Sequence, residues 1–142
     1  MTDISRKKAK TIINRALAHA REQNMKPLSA IVVDAGGHPI AFEREDGASP
    51  GRFALAEGKA YGVVMMGIGG FALRERAEKQ AYFIDSLNGV YNGKLVPVPG
   101  GVLVRDKRGK VIGAVGVTGD SSENDAEAAT AGIEAAGFVA EA

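Results

Sequence analysis

The sequence predicts an α+β fold in which an antiparallel β-sheet, built from hairpins, is flanked by α-helices. Two observations predict it. Segments rich in β-branched residues come in two pairs, each joined by a short turn that contains glycine. Helical segments precede, separate and follow these pairs, whereas a doubly wound parallel sheet would alternate single strands with helices. We expect one domain over residues 1–142, since this length is typical of a single domain.

The first predicted element is an amphipathic helix over residues 4–23. Apolar residues recur there at helical spacing, and lysine and arginine fill the opposite face. Asp3 or Ser5 is expected to cap its start. Pro27 ends it, because proline cannot continue a helix.

A hairpin and two helices are predicted next. Residues 28–33 and 39–45 read as strands joined by a turn that contains two glycines. Helices are then expected over residues 52–66 and 71–82, the second because charges of alternating sign follow one face. Residues 84–95 stay unassigned, because Asn-Gly pairs mark turns there, and either a loop over the sheet or a lid fits.

A second hairpin and a last helix complete the prediction. Residues 102–105 and 110–118 read as strands joined by a four-residue turn. A helix over residues 125–136 follows, rich in alanine that suits close packing. Its expected cap is Ser121, Ser122 or Asn124.

Composition and charge exclude several classes of protein. The chain has 45% hydrophobic and 25% charged residues, a net charge of +1 and no cysteine, so disulfides and thiolate chemistry are excluded. Without a basic excess, nucleic-acid binding is not expected. The longest apolar run, residues 63–73, is shorter than the ~20 residues of a membrane span, and no apolar segment follows the basic residues near the amino end. We therefore expect a cytoplasmic protein.

Glycine is the one excess, with 19 of 142 residues, and it is concentrated between residues 97 and 119. Gly100 and Gly101 precede a strand, where their amides could face an anion or a planar ligand. Gly113 and Gly116 lie inside a strand, where glycine is unfavourable unless a backbone or a ligand lies close. Close packing of a helix or of a partner subunit explains these glycines equally well. We nevertheless place the functional region in this segment.

Two basic residues have both a structural and a functional interpretation. Strand alternation places Arg44 on the face of Ile40 and Phe42, where it forms a buried pair with Asp46 or a helix carboxylate, or clamps a carboxylate-bearing ligand. Lys59 lies within an apolar helix face, and either extends to the surface or joins Arg44 in a cationic site. Thr118 adds a hydroxyl at a strand end, although capping of the next helix explains this segment as well.

Metal chemistry has no support in the sequence. The chain contains only two histidines, and neither a paired-histidine motif nor a nucleophile elbow occurs. His19 is expected near the polar border of the first helix, and His38 in the first hairpin turn. We expect no metal site.

Several segments, taken in order, resemble the GlcG/HbpS-like family, also called the haem-degrading domain. They are IVVDAGGHPI at 31–40, DGA at 46–48, KA at 59–60, VPGGV at 98–102 and IGAVGVTG at 112–119, with Asp125 downstream. The resemblance extends over nearly the whole chain. It implies an antiparallel sheet flanked by helices, and subunits that assemble into dimers or larger even-numbered oligomers. Members include haem-binding and haem-degrading proteins and the tetrapyrrole-binding domain of some cobalamin adenosyltransferases.

Three functional hypotheses follow. The first is a small-molecule binding protein, with a tetrapyrrole (haem or a corrinoid) as leading ligand, in a pocket formed by Arg44, Lys59, Pro99, Gly100, Gly101 and Thr118. The second is a cofactor-independent enzyme, an isomerase or another enzyme of proton-transfer type, that acts on a small carboxylated catabolite. There Arg44 and Lys59 hold the anion, Asp46 or Glu45 moves a proton, and the Gly100 and Gly101 amides stabilise negative charge. The third is an assembly partner without a ligand.

Overall fold

The computed structural model describes residues 3–142, and within them the chain forms five helices and five strands. In chain order these are α1 (Arg6–Glu22), β1 (Ser29–Asp34), β2 (Pro39–Arg44), α2 (Arg52–Met66), α3 (Gly70–Lys79), α4 (Ala81–Val90), β3 (Gly101–Arg105), β4 (Val111–Thr118), α5 (Ser122–Ala135) and β5 (Val139–Glu141).

The strands form one sheet in the order β2-β1-β4-β3-β5, and every neighbouring pair is antiparallel. The hairpins β1–β2 and β3–β4 are those that the sequence predicts. They join through β1 and β4, which pair along the whole of β1, from Ser29 opposite Thr118 to Asp34 opposite Gly113. The prediction of an antiparallel sheet built from hairpins is confirmed.

Helices cover both faces of the sheet, so the chain has two apolar layers. On one face α1 and α5 pack on Val32, Val115 and Val117. On the other face α2, with α3 and α4, packs on Ile31 and Leu103. This arrangement follows from strand alternation, since successive side chains point to opposite faces. No helix in residues 3–142 has both the length and the apolar character that crossing a bilayer requires.

Two helix starts are capped by residues that the sequence predicts. The Ser5 hydroxyl accepts a hydrogen bond from the Lys8 amide at 3.1 Å, which begins α1. The Ser121 hydroxyl accepts one from the Asn124 amide at the same distance, and α5 therefore begins at Ser122, three residues before the predicted start.

Two elements differ from the prediction. Helix α3 ends at Lys79, before the predicted end at 82. Helix α4 begins at Ala81 and runs into the unassigned segment, so Asn88-Gly89 lies in a helix, although Asn92-Gly93 does form a turn with positive φ. Helix α4 forms because Ile84 and Leu87 are buried three residues apart against the α2 side of the core. The short strand β5 was not predicted, because its three residues are ordered by pairing with β3.

Candidate functional site

Two predicted site residues lie in one row across the end of the sheet. Ser29 of β1 pairs with Arg44 of β2 on one side and with Thr118 of β4 on the other. Neighbouring strands are about 4.8 Å apart, so the Arg44 and Thr118 backbones are separated by about 10 Å. Cross-strand partners share a face, and Ile31, two residues from Ser29, packs against α2. The three side chains therefore belong to the α2 side of the sheet.

The Thr118 end of this row is held by the first residue of α2. Arg52 donates from Nη1 to the Thr118 hydroxyl at 2.8 Å and from Nε to the Ser49 hydroxyl at 3.1 Å. Thr118 is almost fully buried. Ser29 between the arginines is also buried, and its Oγ has no hydrogen-bond partner within the described residues. An unpaired hydroxyl in a protein interior is rare and unfavourable.

The Arg44 end of the row is open. The Arg44 side chain is exposed and makes no hydrogen bond or ion pair within residues 3–142. The expected buried pair with a carboxylate is therefore wrong, because β2 is an edge strand and leaves the side chain at the surface. Phe42 shares its face as predicted, whereas Ile40 packs on the α1 side, since the register between β1 and β2 shifts after Val32.

Lys59 neither extends to the surface nor joins Arg44. Its side chain is 5% exposed, and Nζ lies 3.1 Å from Oδ2 of Asp125 and 3.0 Å from the Val117 carbonyl. Burial, the larger effect, lowers the pKa of Lys59 and raises the pKa of Asp125, while the attraction between the two opposes both shifts. The pair connects α2 to β4 and α5, and this gives Lys59 a structural role.

Asp125 is held on its other side by the loop before α5. Its Oδ1 accepts a hydrogen bond from the Asp120 amide at 2.9 Å. Asp120 in turn accepts bonds from the amides of Lys26 and Ser121 and from the Asn124 side chain, which lower its pKa to about 2. The carboxylate that faces Lys59 is thus fixed in position by a charged loop.

Gly100, Gly101 and Gly116 lie beneath α2, whereas a Cβ on Gly113 would collide with the Val33 carbonyl of β1. A Cβ on Gly101 would collide with the Lys59 carbonyl, and one on Gly116 with the Ala56 carbonyl. Gly100 has a φ of +118°, and a Cβ there would lie 2.8 Å from the Lys59 Nζ. Pro99 beside it is buried. Close packing of a helix, one of the two interpretations of these glycines, is therefore what the structure supports.

Glu45 and Asp46 line an open cleft of about 410 Å³ together with Arg44, Arg21 and Pro27. Both Glu45 oxygens are engaged, Oε1 by the Leu28 amide at 2.7 Å and Oε2 by the Arg21 Nε at 3.2 Å. Asp46 is exposed. The predicted residues thus fall into two groups, one around this cleft and one where α2 packs on the second hairpin, with Thr118 in the row between them.

A second surface feature involves His19, which the sequence analysis placed at the polar border of α1. Its Nε2 lies 2.7 Å from the Glu127 Oε2 of α5. The two line a groove of about 400 Å³ with Phe71, alanines and two further glutamates, Glu123 and Glu134. His38 is 80% exposed and contacts Asp34.

Three residues of the site were missed by sequence reasoning. Arg52 and Ser29 carry no motif: the pairing of β1 with β4 brings Ser29 to Thr118, and the packing of α2 on β4 brings Arg52 there. Asp125 had a usable signal, since a lysine among apolar helix residues requires a buried carboxylate and Asp125 opens an alanine-rich helix.

The fold and the site define a class: a single α+β domain with a five-stranded antiparallel sheet between two helical layers, and a cluster of arginines and hydroxyls at one sheet end. The chain belongs to the HbpS-like family of haem-degrading proteins, whose model matches residues 4–134.

Solved structures share this fold. A PduOC:heme complex is 26% identical, with a TM-score of 0.84 over 96% of each chain. HbpS is 25% identical, with a TM-score of 0.79 over 93% of this chain and 89% of its own. The Klebsiella pneumoniae protein ORFY is 23% identical, with a TM-score of 0.83 over 96% and 92%. Among proteins with curated descriptions, none matches the sequence significantly.

Proposed function

We propose that the protein binds a small molecule, and that this ligand is a tetrapyrrole, either haem or a corrinoid. One observation carries the proposal: the chain is similar over 96% of its length to a domain crystallised with haem. Membership of a family described as haem-degrading supports the same ligand class. We place the site at the predicted residues: Arg44 faces the ligand, Thr118 lies buried behind it and holds Arg52, and Lys59, Pro99, Gly100 and Gly101 support the site where α2 packs on the second hairpin.

A haem offers carboxylates, a flat apolar ring and an iron, and the residues at this site suit the first two. Arg44 and Arg52 suit its carboxylates, since guanidinium groups pair with carboxylates through two parallel hydrogen bonds. Phe53, which is 42% exposed and packs edge-on against Phe42 at 4.9 Å, suits the flat apolar ring. The iron finds no imidazole here, because His19 lies in the α1–α5 layer and His38 in the first hairpin turn.

The groove at His19 offers an imidazole but is lined by negative charge. Its imidazole could ligate iron, and Phe71 and the alanines offer apolar contact. Three glutamates line the same groove, however, and would repel the carboxylates of the ligand. We therefore favour the Arg44 site, where binding should not depend on iron.

Titration of the purified protein with haemin, followed by the Soret absorbance, tests the proposal, and iron-free protoporphyrin IX locates the site. We expect saturable binding of both compounds with similar affinity. His19→Ala should bind haemin as the wild type does, and so should the matched control His38→Ala. Absence of any saturable Soret change would overturn tetrapyrrole binding. Binding that needs iron and is lost in His19→Ala alone would move the site to the groove.

The isomerase hypothesis stays a prediction that no observation favours. Its proton donor or acceptor would be Asp46 or Glu45, and both oxygens of Glu45 already have partners. Its anion-holding Lys59 is buried and paired with Asp125.

A further inference from the structure

We propose that Arg44, Arg52 and the hydroxyls of Ser29 and Thr118 form a carboxylate subsite at the N-terminal end of α2. The identity of the larger ligand rests on the proposed function, but the subsite itself rests on the geometry of these four side chains.

The two arginines supply the charge. Arg44 stands at one end of the row with its side chain exposed and unpaired among the described residues, so repositioning it breaks no bond. Arg52 reaches the other end, where its Nη1 meets the Thr118 hydroxyl. Neither guanidinium forms an ion pair within residues 3–142, although nine other ion pairs are formed there, and Glu45 and Asp46 line the same cleft as Arg44. Two arginines without an ion pair at the ends of one row are suited to an anion.

Ser29 points to a ligand independently of the arginines. Its side chain lies between them on the same face, is fully buried, and leaves Oγ without a hydrogen-bond partner. A buried hydroxyl without a partner destabilises the fold, and alanine in this place would avoid that cost. A ligand carboxylate that reached Oγ, once the side chains covering it had moved aside, would accept its hydrogen bond. This binding role would account for the unpaired hydroxyl.

The N-terminal end of α2 also favours an anion. Its N-cap residue is Gly51, which offers no side-chain bond to the first amides of the helix. Unpaired amides and the helix dipole favour negative charge at this end. The contact of Phe53 with Phe42 fixes this first turn above β2, two residues from Arg44 along the strand.

A carboxylate could come from two sources, a propionate of a tetrapyrrole or a small free carboxylic acid. Haemin and haemin dimethyl ester differ only in the propionates, and benzoate represents the free acid. Affinities are measured for wild type, Arg44→Ala, Arg44→Lys, Arg52→Ala and Ser29→Ala. The matched control is Arg108→Ala, in the exposed turn between β3 and β4.

We expect Arg44→Ala and Arg52→Ala each to weaken haemin binding at least about tenfold, because each removes charge-assisted hydrogen bonds. Arg44→Lys should recover only part of the lost affinity, since lysine lacks the paired N–H donors with which a guanidinium binds both oxygens of a carboxylate. The ester should bind at least about tenfold more weakly than haemin to the wild type, and equally to wild type and Arg44→Ala. Arg108→Ala should bind as the wild type does.

Ser29→Ala keeps the proposal testable if Arg52→Ala fails to fold. We expect it to weaken haemin binding while its melting temperature stays unchanged or rises. A purely structural serine would give the reverse, lower stability with unchanged affinity.

The remaining outcomes separate the subsite from the proposed function. If haemin and its ester bind equally well to all variants, the subsite is overturned and tetrapyrrole binding stands. If haemin does not bind but benzoate does, and Arg44→Ala abolishes it, the subsite stands and the tetrapyrrole falls. If neither compound binds, both are overturned.

Discussion

At the scale of single residues, the pair of Lys59 and Asp125 is the most consequential interaction in the chain. It joins a helix on one face of the sheet to a helix on the other, past the end of β4. Burial is unfavourable to both charges, as the directions of their pKa shifts show. Such a pair contributes little net stability while intact, but removal of one partner leaves an uncompensated buried charge.

Lys59→Met should therefore lower the free energy of unfolding by about 3 kcal/mol or more. Lys59→Met combined with Asp125→Asn should be more stable than Lys59→Met alone, because the second change removes the unpaired charge. Chemical denaturation measures both. As a control, Lys94→Met removes a longer, partly exposed pair with Glu57, at 3.9 Å and with the Lys94 side chain 44% exposed, and should cost less than about 1 kcal/mol. Equal losses in Lys59→Met and Lys94→Met would contradict the structural role.

At the scale of elements, the second hairpin requires glycine at 101 and 116 because of α2. The helix lies on Gly101 and Gly116 closely enough for a Cβ on either residue to collide with a backbone carbonyl of α2. The sequence marked this region as one of close approach without identifying what approaches. Only the position of α2 over β3 and β4 identifies it.

Two glycine substitutions test this packing in opposite directions. Gly116→Ala should destabilise the protein by about 1–3 kcal/mol, because the rigid Ala56 carbonyl cannot move aside easily. Gly89→Ala lies inside α4 with no atom within 4 Å of the new Cβ, and should stabilise by about 0.5–1 kcal/mol. Thermal and denaturant unfolding measure both. A loss of stability in Gly89→Ala would contradict the assignment of residues 81–90 as a helix.

At the scale of the whole molecule, large apolar side chains stay exposed on the helical layers. Phe53, Phe71, Tyr82 and Val90 are each more than a third exposed, on α2, α3 and α4. Exposed apolar side chains are suited to association when they form one surface. The resemblance to the family leads to the same expectation of a dimer or a larger even-numbered oligomer.

Light scattering coupled to size-exclusion chromatography tests this expectation. The measured mass should be twice 14.8 kDa or a larger even multiple, and it should persist on dilution. A mass of 14.8 kDa at all concentrations would contradict it. Repeating the measurement with Arg44→Ala shows whether the binding variants keep the same assembly, which their comparison with the wild type requires.

The sequence by itself determined the α+β class, the two hairpins, the four strands within them and four of the five helices, because each depends on local periodicity and turn chemistry. It also singled out Arg44 and Thr118 as candidates, since a charge or a hydroxyl at a strand end is visible in the sequence. The tertiary structure alone decided that Lys59 pairs with Asp125, that Arg52 and Ser29 join the row, and that α4 and β5 form. These depend on contacts between residues far apart in the chain, and no local pattern records such contacts.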